Sequence, residues 1–515
     1  MLTTPVSSDT GASNPASDDI SVYKSIVSKS SVYSLSILCL RLTSFLLLPI
    51  LTRLLTPTDY GVLELLDLTL YVFGSLVGVQ LGQALFYFYS KAGTDEERNR
   101  MASCAMTGSL LLGILGIGLV SGYLLAPSLS RMVLGSTGYT KLFYLAFANL
   151  GLSVPIETGL SWYRVHNQAR RYSMVAVGRN LLASALSLLF LIKFHQGVAS
   201  IQWSAMVSGI PAVLFLSYEV FRRTGIALNG KILWQQARYA APVTVSGIFM
   251  LVLHYGDRFF LLRSVSMAEI GIYSLAYKFG MLVSMVQNPF MLFWGSQMFR
   301  VVQGPAGDRI YIRVSTYMYF VLTAVAVALS LFVRPLMRLM ANAPFHGAAA
   351  YVPVIAAAYV LRGLGDHMRS VFSIENRTEK YLTSNIISAA SCLSLYAILI
   401  PRYGLWGASL ATLGGFLVFL MVGLWQAQRI RYFALEYRRF IHLALVSGVC
   451  IGVNAWLDVQ GFWLQIASAI VLFLGWWLLL AVTGFFDEME RRYTLDAIAE
   501  IKRRVSAFHL PSSVQ

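Results

Sequence analysis

The chain has 515 residues, of which 57% are hydrophobic and 12% charged, and its mean hydropathy is +0.64. That much apolar surface cannot be hidden inside one soluble core, so the chain belongs in a bilayer. Its formal charge of +16 would suit nucleic acid, but the 40 Lys and Arg residues concentrate in alternate loops and tails; this is a topology signal and makes nucleic acid a poor candidate partner.

In chain order, residues 1–25 are rich in Ser, Thr, Asp and Pro and read as a disordered cytoplasmic tail rather than a cleaved signal peptide. Fourteen apolar runs follow, at 31–52, 61–89, 102–125, 141–163, 172–194, 200–221, 239–262, 269–295, 311–333, 349–374, 381–401, 406–427, 440–458 and 462–485. A hydrocarbon core of roughly 30 Å asks for about 20 apolar residues per helix. The expected fold class is therefore all-α, a polytopic membrane protein with fourteen transmembrane helices. The distribution of Lys and Arg puts both termini in the cytoplasm. Beyond the last run, residues 487–515 set Leu495, Ile498, Ile501 and Val505 at helical spacing among charges. They read as an amphipathic tail on the inner leaflet, or as a helix that docks a partner.

The chain also repeats itself. Arg53-Leu54-Leu55-Thr56-Pro57-Thr58-Asp59-Tyr60-Gly61-Val62 is echoed 210 positions later by Arg263-Ser264-Val265-Ser266-Met267-Ala268-Glu269-Ile270-Gly271-Ile272. Asn167 through Tyr172 matches Asn376 through Tyr381 at an offset of 209, and Gly197-Val198-Ala199-Ser200 matches Gly404 through Ser409 with a small insertion. The expected organisation is a lobe of six helices over 26–225, a related lobe over 226–430, two additional helices over 431–486, and the tails. Two membrane halves on one plan around a central cavity is the construction of a secondary transporter, although channels also arise by duplication.

Cys39, Cys104, Cys392 and Cys450 fall inside expected helices at spacings that clamp no metal, so they read as packing residues and no cofactor is expected. Every loop is shorter than about 20 residues, which disfavours a membrane glycosyltransferase or polymerase with an outward catalytic domain.

Charges inside the membrane cost about 2.5–3.5 kcal/mol each on insertion scales, so each asks for a reason. The cations are Arg41, Arg179, Arg258, Lys278 and Arg362. Arg41 lies about 15 Å into its helix and Arg362 about 20 Å into its own, both near mid-depth. A guanidinium fork suits phosphate oxygens, so a positively lined cavity would favour an anion, with a diphosphate headgroup the natural cargo. Each cation also has a plainer reading. Arg258 can snorkel, Arg179 and Lys278 can pair with Glu157, Glu64 or Asp67, and Arg362, Asp366 and Arg369 share a helical face at i, i+4 and i+7. The carboxylates Glu64, Asp67, Glu157, Asp257 and Asp366 are candidates for H+ or Na+ coupling. Trp162, Tyr163, Tyr255, Tyr273, Tyr277, Trp294 and Trp406 are expected chiefly as interface anchors. Prolines 49, 155, 211, 242, 289 and 353 are expected to bend helices.

The segment from Arg41 to Gly61, with its Leu48-Pro49-Ile50-Leu51-Thr52-Arg53-Leu54-Leu55-Thr56-Pro57-Thr58-Asp59-Tyr60-Gly61 core, resembles the start of bacterial polysaccharide-transporter flippases of the multidrug/oligosaccharidyl-lipid/polysaccharide exporter superfamily. Asp257-Arg258-Phe259 and the paired Asn-x-x-x-basic-Tyr turns resemble the same family, and the likeness runs over roughly 25–485. It implies two lobes around a cationic cavity, with Arg41 and Arg258 at positions where the family often carries cavity cations. It also implies transport of an undecaprenyl-diphosphate-linked oligosaccharide repeat unit across the bacterial inner membrane by alternating access. Polymerase and chain-length proteins of a polysaccharide pathway would be its partners. The alternatives are a cation-coupled multidrug exporter of the same fold, a lipid II flippase and, from a different class, a membrane glycosyltransferase or polymerase.

Overall fold

In lipid an apolar segment can satisfy its own backbone only as a helix, and the apolar runs fold accordingly. The computed structural model describes residues 39–40, 43, 45–77, 81–302, 304, 306–487 and 490. Arg41 and almost all of both expected tails lie outside the described residues. Among the described residues the protein is all-helical, and it is a multi-pass membrane protein.

The helices are α1 (Phe45–Leu54), α2 (Pro57–Val77), α3 (Leu81–Lys91), α4 (Asp95–Leu110), α5 (Gly122–Leu134), α6 (Thr140–Val165), α7 (Ala169–Phe194), α8 (Val198–Thr224) and α9 (Gly230–Leu261). They continue as α10 (Met267–Gly280), α11 (Leu282–Val302), α12 (Gly307–Met340), α13 (Val352–Met368), α14 (Ser370–Ile374), α15 (Glu379–Ile430), α16 (Tyr437–Leu457) and α17 (Phe462–Val482). A π-helical stretch, Leu111–Ser121, joins α4 to α5. Among the described residues seven helices are individually long and apolar enough to cross a membrane, or eight when the bent pair Ala343–Ala350 and Val352–Ile374 counts as one. The helices and the apolar runs do not correspond one to one. The run at 269–295 divides at Met281 between α10 and α11, whereas those at 381–401 and 406–427 form one element kinked at Gly404.

The chain divides into two compact units, residues 1–251 and 252–515. In the first, α6 is the hub, packed against α2, α3, α4, α5, α7, α8 and the π-helical stretch. In the second the hub is α13, packed against α10, α11, α12 and α15. Both hubs are buried on most faces, so their neighbours place them more firmly than any interface anchor does.

The sequence repeat is also a repeat of local geometry. Thr56 and Asp59 cap α2 reciprocally: the Thr56 amide and hydroxyl donate to Asp59 Oδ2 at 3.1 and 2.7 Å, and the Asp59 amide donates to Thr56 Oγ1 at 3.1 Å. Ser266 and Glu269 repeat all three bonds at α10, at 2.9, 2.7 and 3.3 Å. Asn167 and Asn376 both turn left-handed, at φ 55° and 54°. After each, the next amide reaches back five residues, Gln168 to the Tyr163 carbonyl and Arg377 to that of Phe372. Gly197 (φ 54°, ψ −129°) and Gly404 (φ 54°, ψ −125°) share a backbone conformation that residues with a Cβ rarely adopt.

Five of the aromatics depart from expectation. Trp162, Tyr163, Tyr273, Tyr277 and Trp294 are buried in the bundle, and Trp406 is exposed. Sequence position gives depth along a helix but not the face presented, and these rings face neighbouring helices. Cys104, Cys392 and Cys450 are buried and free, while Cys39 is partly buried and free. Pro155, Pro211 and Pro289 lie inside helices, whereas Pro353 opens α13.

Candidate functional site

Each hub helix leaves only part of its surface partly open, and some of those openings carry polar residues. On α6 these positions include Asn149, Ser153, Glu157 and Arg164, while Val154, Pro155, Ile156, Thr158, Gly159 and Leu160 are buried. On α13 they include Arg362 and Asp366, while Gly363, Leu364, Gly365, His367 and Met368 are buried. The offset of 209 that relates Asn167 to Asn376 also relates Ser153 to Arg362 and Glu157 to Asp366.

The α13 charges form a three-membered cluster. Asp366 Oδ2 lies 3.8 Å from Arg362 Nε, and its Oδ1 lies 4.0 Å from Arg369 Nη1. One carboxylate therefore stands between two guanidiniums, one oxygen toward each and neither within hydrogen-bond reach. Its hydrogen bond is from Gln287 Nε2, at 3.1 Å to Oδ2. Arg369 is sealed, with its side chain 3% exposed, and donates from Nη2 to Asn385 Oδ1 at 2.8 Å while its guanidinium lies 4.4 Å from the Phe419 ring centre. Arg362 is more open, at 18%, and its buried Nε has no hydrogen-bond partner. Two cations facing one anion leave the cluster net positive.

The other candidates are placed differently. Asp257 and Arg258, 0% and 3% exposed, form an interior pair in which Arg258 Nη1 donates to Asp257 Oδ1 at 2.8 Å. The Arg258 amide adds a bond at 2.9 Å and the Tyr273 hydroxyl one at 2.6 Å, and the guanidinium sits 4.0 Å from the Tyr277 ring centre. The structure thus seals Arg258 with a carboxylate, so neither member of the pair is presented to open space. Lys278 is partly buried in the last turn of α10. On α6, Glu157 stands 3.8 Å from Arg164, the two side chains 47% and 38% exposed. Arg179 is partly buried on α7, its Nε lacks a hydrogen bond, and the Glu157 charge acts on it. Glu64, partly buried, and Asp67, exposed, lie one turn apart on α2. Arg41 lies outside the described residues. Sequence reasoning noted Arg369 only as a neighbour and missed Gln287 altogether. Gln287 had no local signal, since it reaches Asp366 from another helix, 79 residues away in sequence.

At one end of the second unit Arg431, just after α15, bonds Asp308 in the first turn of α12 at 2.8 Å and Glu375, just before α15, at 2.9 Å. Burial works against its charge, but these hydrogen bonds raise its pKa above the usual arginine range. All three residues sit at helix ends on the side that the positive-inside reading assigns to the cytoplasm.

Comparison with known proteins adds the following. Residues 26–292 match the model of a family described as polysaccharide biosynthesis protein. An uncharacterized membrane protein of Haemophilus influenzae is 25% identical over 270 residues, half of this chain, and a protein of the Lsg locus of the same organism is 23% identical over 266. The matched region spans 62% and 61% of the length of those two relatives. Among solved structures, the lipid II flippase MurJ in an inward closed conformation superposes with a TM-score of 0.68 at 14% identity, covering 86% of this chain and 97% of its own. An inward-facing multidrug resistance MATE family transporter of the MOP superfamily gives 0.65 at 18%, covering 76% and 94%. At these identities the likeness is one of fold.

Proposed function

From the premise that this chain belongs to the polysaccharide biosynthesis protein family, we propose that it is a flippase moving a diphosphate-linked, undecaprenyl-anchored oligosaccharide from the cytoplasmic to the outer leaflet of a bacterial inner membrane. The family and the structural neighbours are transporters and flippases rather than enzymes. The observation that carries the reading is the net-positive α13 cluster, in which Arg362 is the more open cation and can offer its guanidinium fork to phosphate oxygens. On sequence evidence Arg41 is a second phosphate ligand, and Glu157, half exposed on α6, is the retained candidate for ion coupling. In this reading both termini are cytoplasmic, and polymerase and chain-length proteins receive the product.

The test is complementation of a deletion strain. Arg362→Ala should insert normally yet lower surface polysaccharide at least about tenfold, since a hydrogen bond to a charged group contributes about 1.5–3 kcal/mol. Undiminished polysaccharide would overturn the reading. The openness of Glu157 favours a second reading, a cation-coupled exporter of cationic drugs. A deletion strain hypersensitive to such drugs with intact polysaccharide would support that one instead.

A further inference from the structure

A carrier must release what it binds, and a cation buried in low dielectric holds a phosphate too well unless something takes the phosphate's place. The α13 cluster holds a group able to do so. Asp366 is anchored by Gln287 with one oxygen 3.8 Å from Arg362 and the other 4.0 Å from Arg369. The two arginines flank it at i−4 and i+3 on one helical face. They are not equivalent: Arg369 is fixed by Asn385 and the Phe419 ring and is closed to outside ligands, whereas Arg362 keeps an open edge.

We propose that Asp366 is a built-in competitor for the cargo's diphosphate at Arg362. The proposal rests on the flippase reading above. In the empty carrier the carboxylate is shared by both arginines. An arriving diphosphate, with a charge on each phosphate, displaces it from Arg362, and Arg369 receives the displaced carboxylate so that it is never left unpaired. When the cargo leaves, Asp366 returns and keeps Arg362 from recapturing it. Asp366 and Arg369 are thus positioning residues acting through Arg362, and the arrangement selects for cargo more highly charged than a single carboxylate.

The experiment titrates full-length protein in lipid nanodiscs with inorganic pyrophosphate and measures lipid-linked oligosaccharide transport in parallel. Asp366→Asn should bind pyrophosphate about tenfold more tightly, within the range of such coupling free energies, while its transport slows. Asp366→Glu, whose longer side chain reaches Arg362 more closely, should bind more weakly than wild type, and this opposite sign keeps the test decisive if the Asn variant fails to fold. In an Arg362→Gln background neither change should alter the residual binding, a dependence that a purely structural role for Asp366 would not show. If Arg362→Gln weakens binding but Asp366→Asn does not strengthen it, the competitor fails and the flippase reading stands. If wild type binds no pyrophosphate, both fail. Farnesyl diphosphate should bind more tightly than pyrophosphate; equal binding would assign the site to soluble diphosphates and overturn the lipid cargo.

Discussion

Helices α6 and α13 hold corresponding places in two related units, but their open positions differ in chemistry. Where α6 has Ser153, α13 has Arg362; where α6 has Glu157 beside Arg164, seven residues further along, α13 has Asp366 between two arginines. The frame around them is conserved to the level of individual hydrogen bonds, from the reciprocal caps to the left-handed asparagines. Features the frame needs recur in both units, whereas features that differ are free of the frame and available to function. A second contrast shows that a difference between the units can also belong to the frame. The interior pair Asp257–Arg258 has, 210 positions earlier, Leu47 and the buried Leu48, so one unit fills with apolar side chains what the other fills with a satisfied ion pair.

The largest expected effect breaks that pair. Asp257→Ala leaves Arg258 buried without its carboxylate and should cost about 3–5 kcal/mol, read as a fall in the thermal unfolding midpoint in detergent. The double change Asp257→Leu with Arg258→Leu, copying the first unit, should recover most of that loss. A double variant no more stable than the single would show that the two units are not interchangeable there. Next, Gly197→Ala and Gly404→Ala should each cost about 1–3 kcal/mol, because both impose a Cβ on the same unfavourable backbone conformation; a large difference between them would break the equivalence of the corners. Thr56→Ala and Ser266→Ala should each cost about 1 kcal/mol through lost caps. Smallest of all, Arg362→Ala should change stability by less than about 1 kcal/mol, since its ion pair is long and partly open, even though transport collapses. A stability loss as large as that of Asp257→Ala would make Arg362 part of the frame and remove it from the site.

The membrane class, the run of apolar helices, the duplicated plan and the identity of Arg362, Asp366 and Arg369 as neighbours on one face were all legible in the chain. These depend on composition and on spacing along one helix, and such information is local. Tertiary structure alone decided that Asp257 closes over Arg258, that Trp162 and Tyr273 face inward, and that Gln287 holds Asp366 midway between two arginines. Sequence sets how deep a side chain lies along its helix, but which partner it meets depends on how neighbouring helices rotate and pack. The same kind of side chain is a sealed structural charge in one packing and a partly open guanidinium in another.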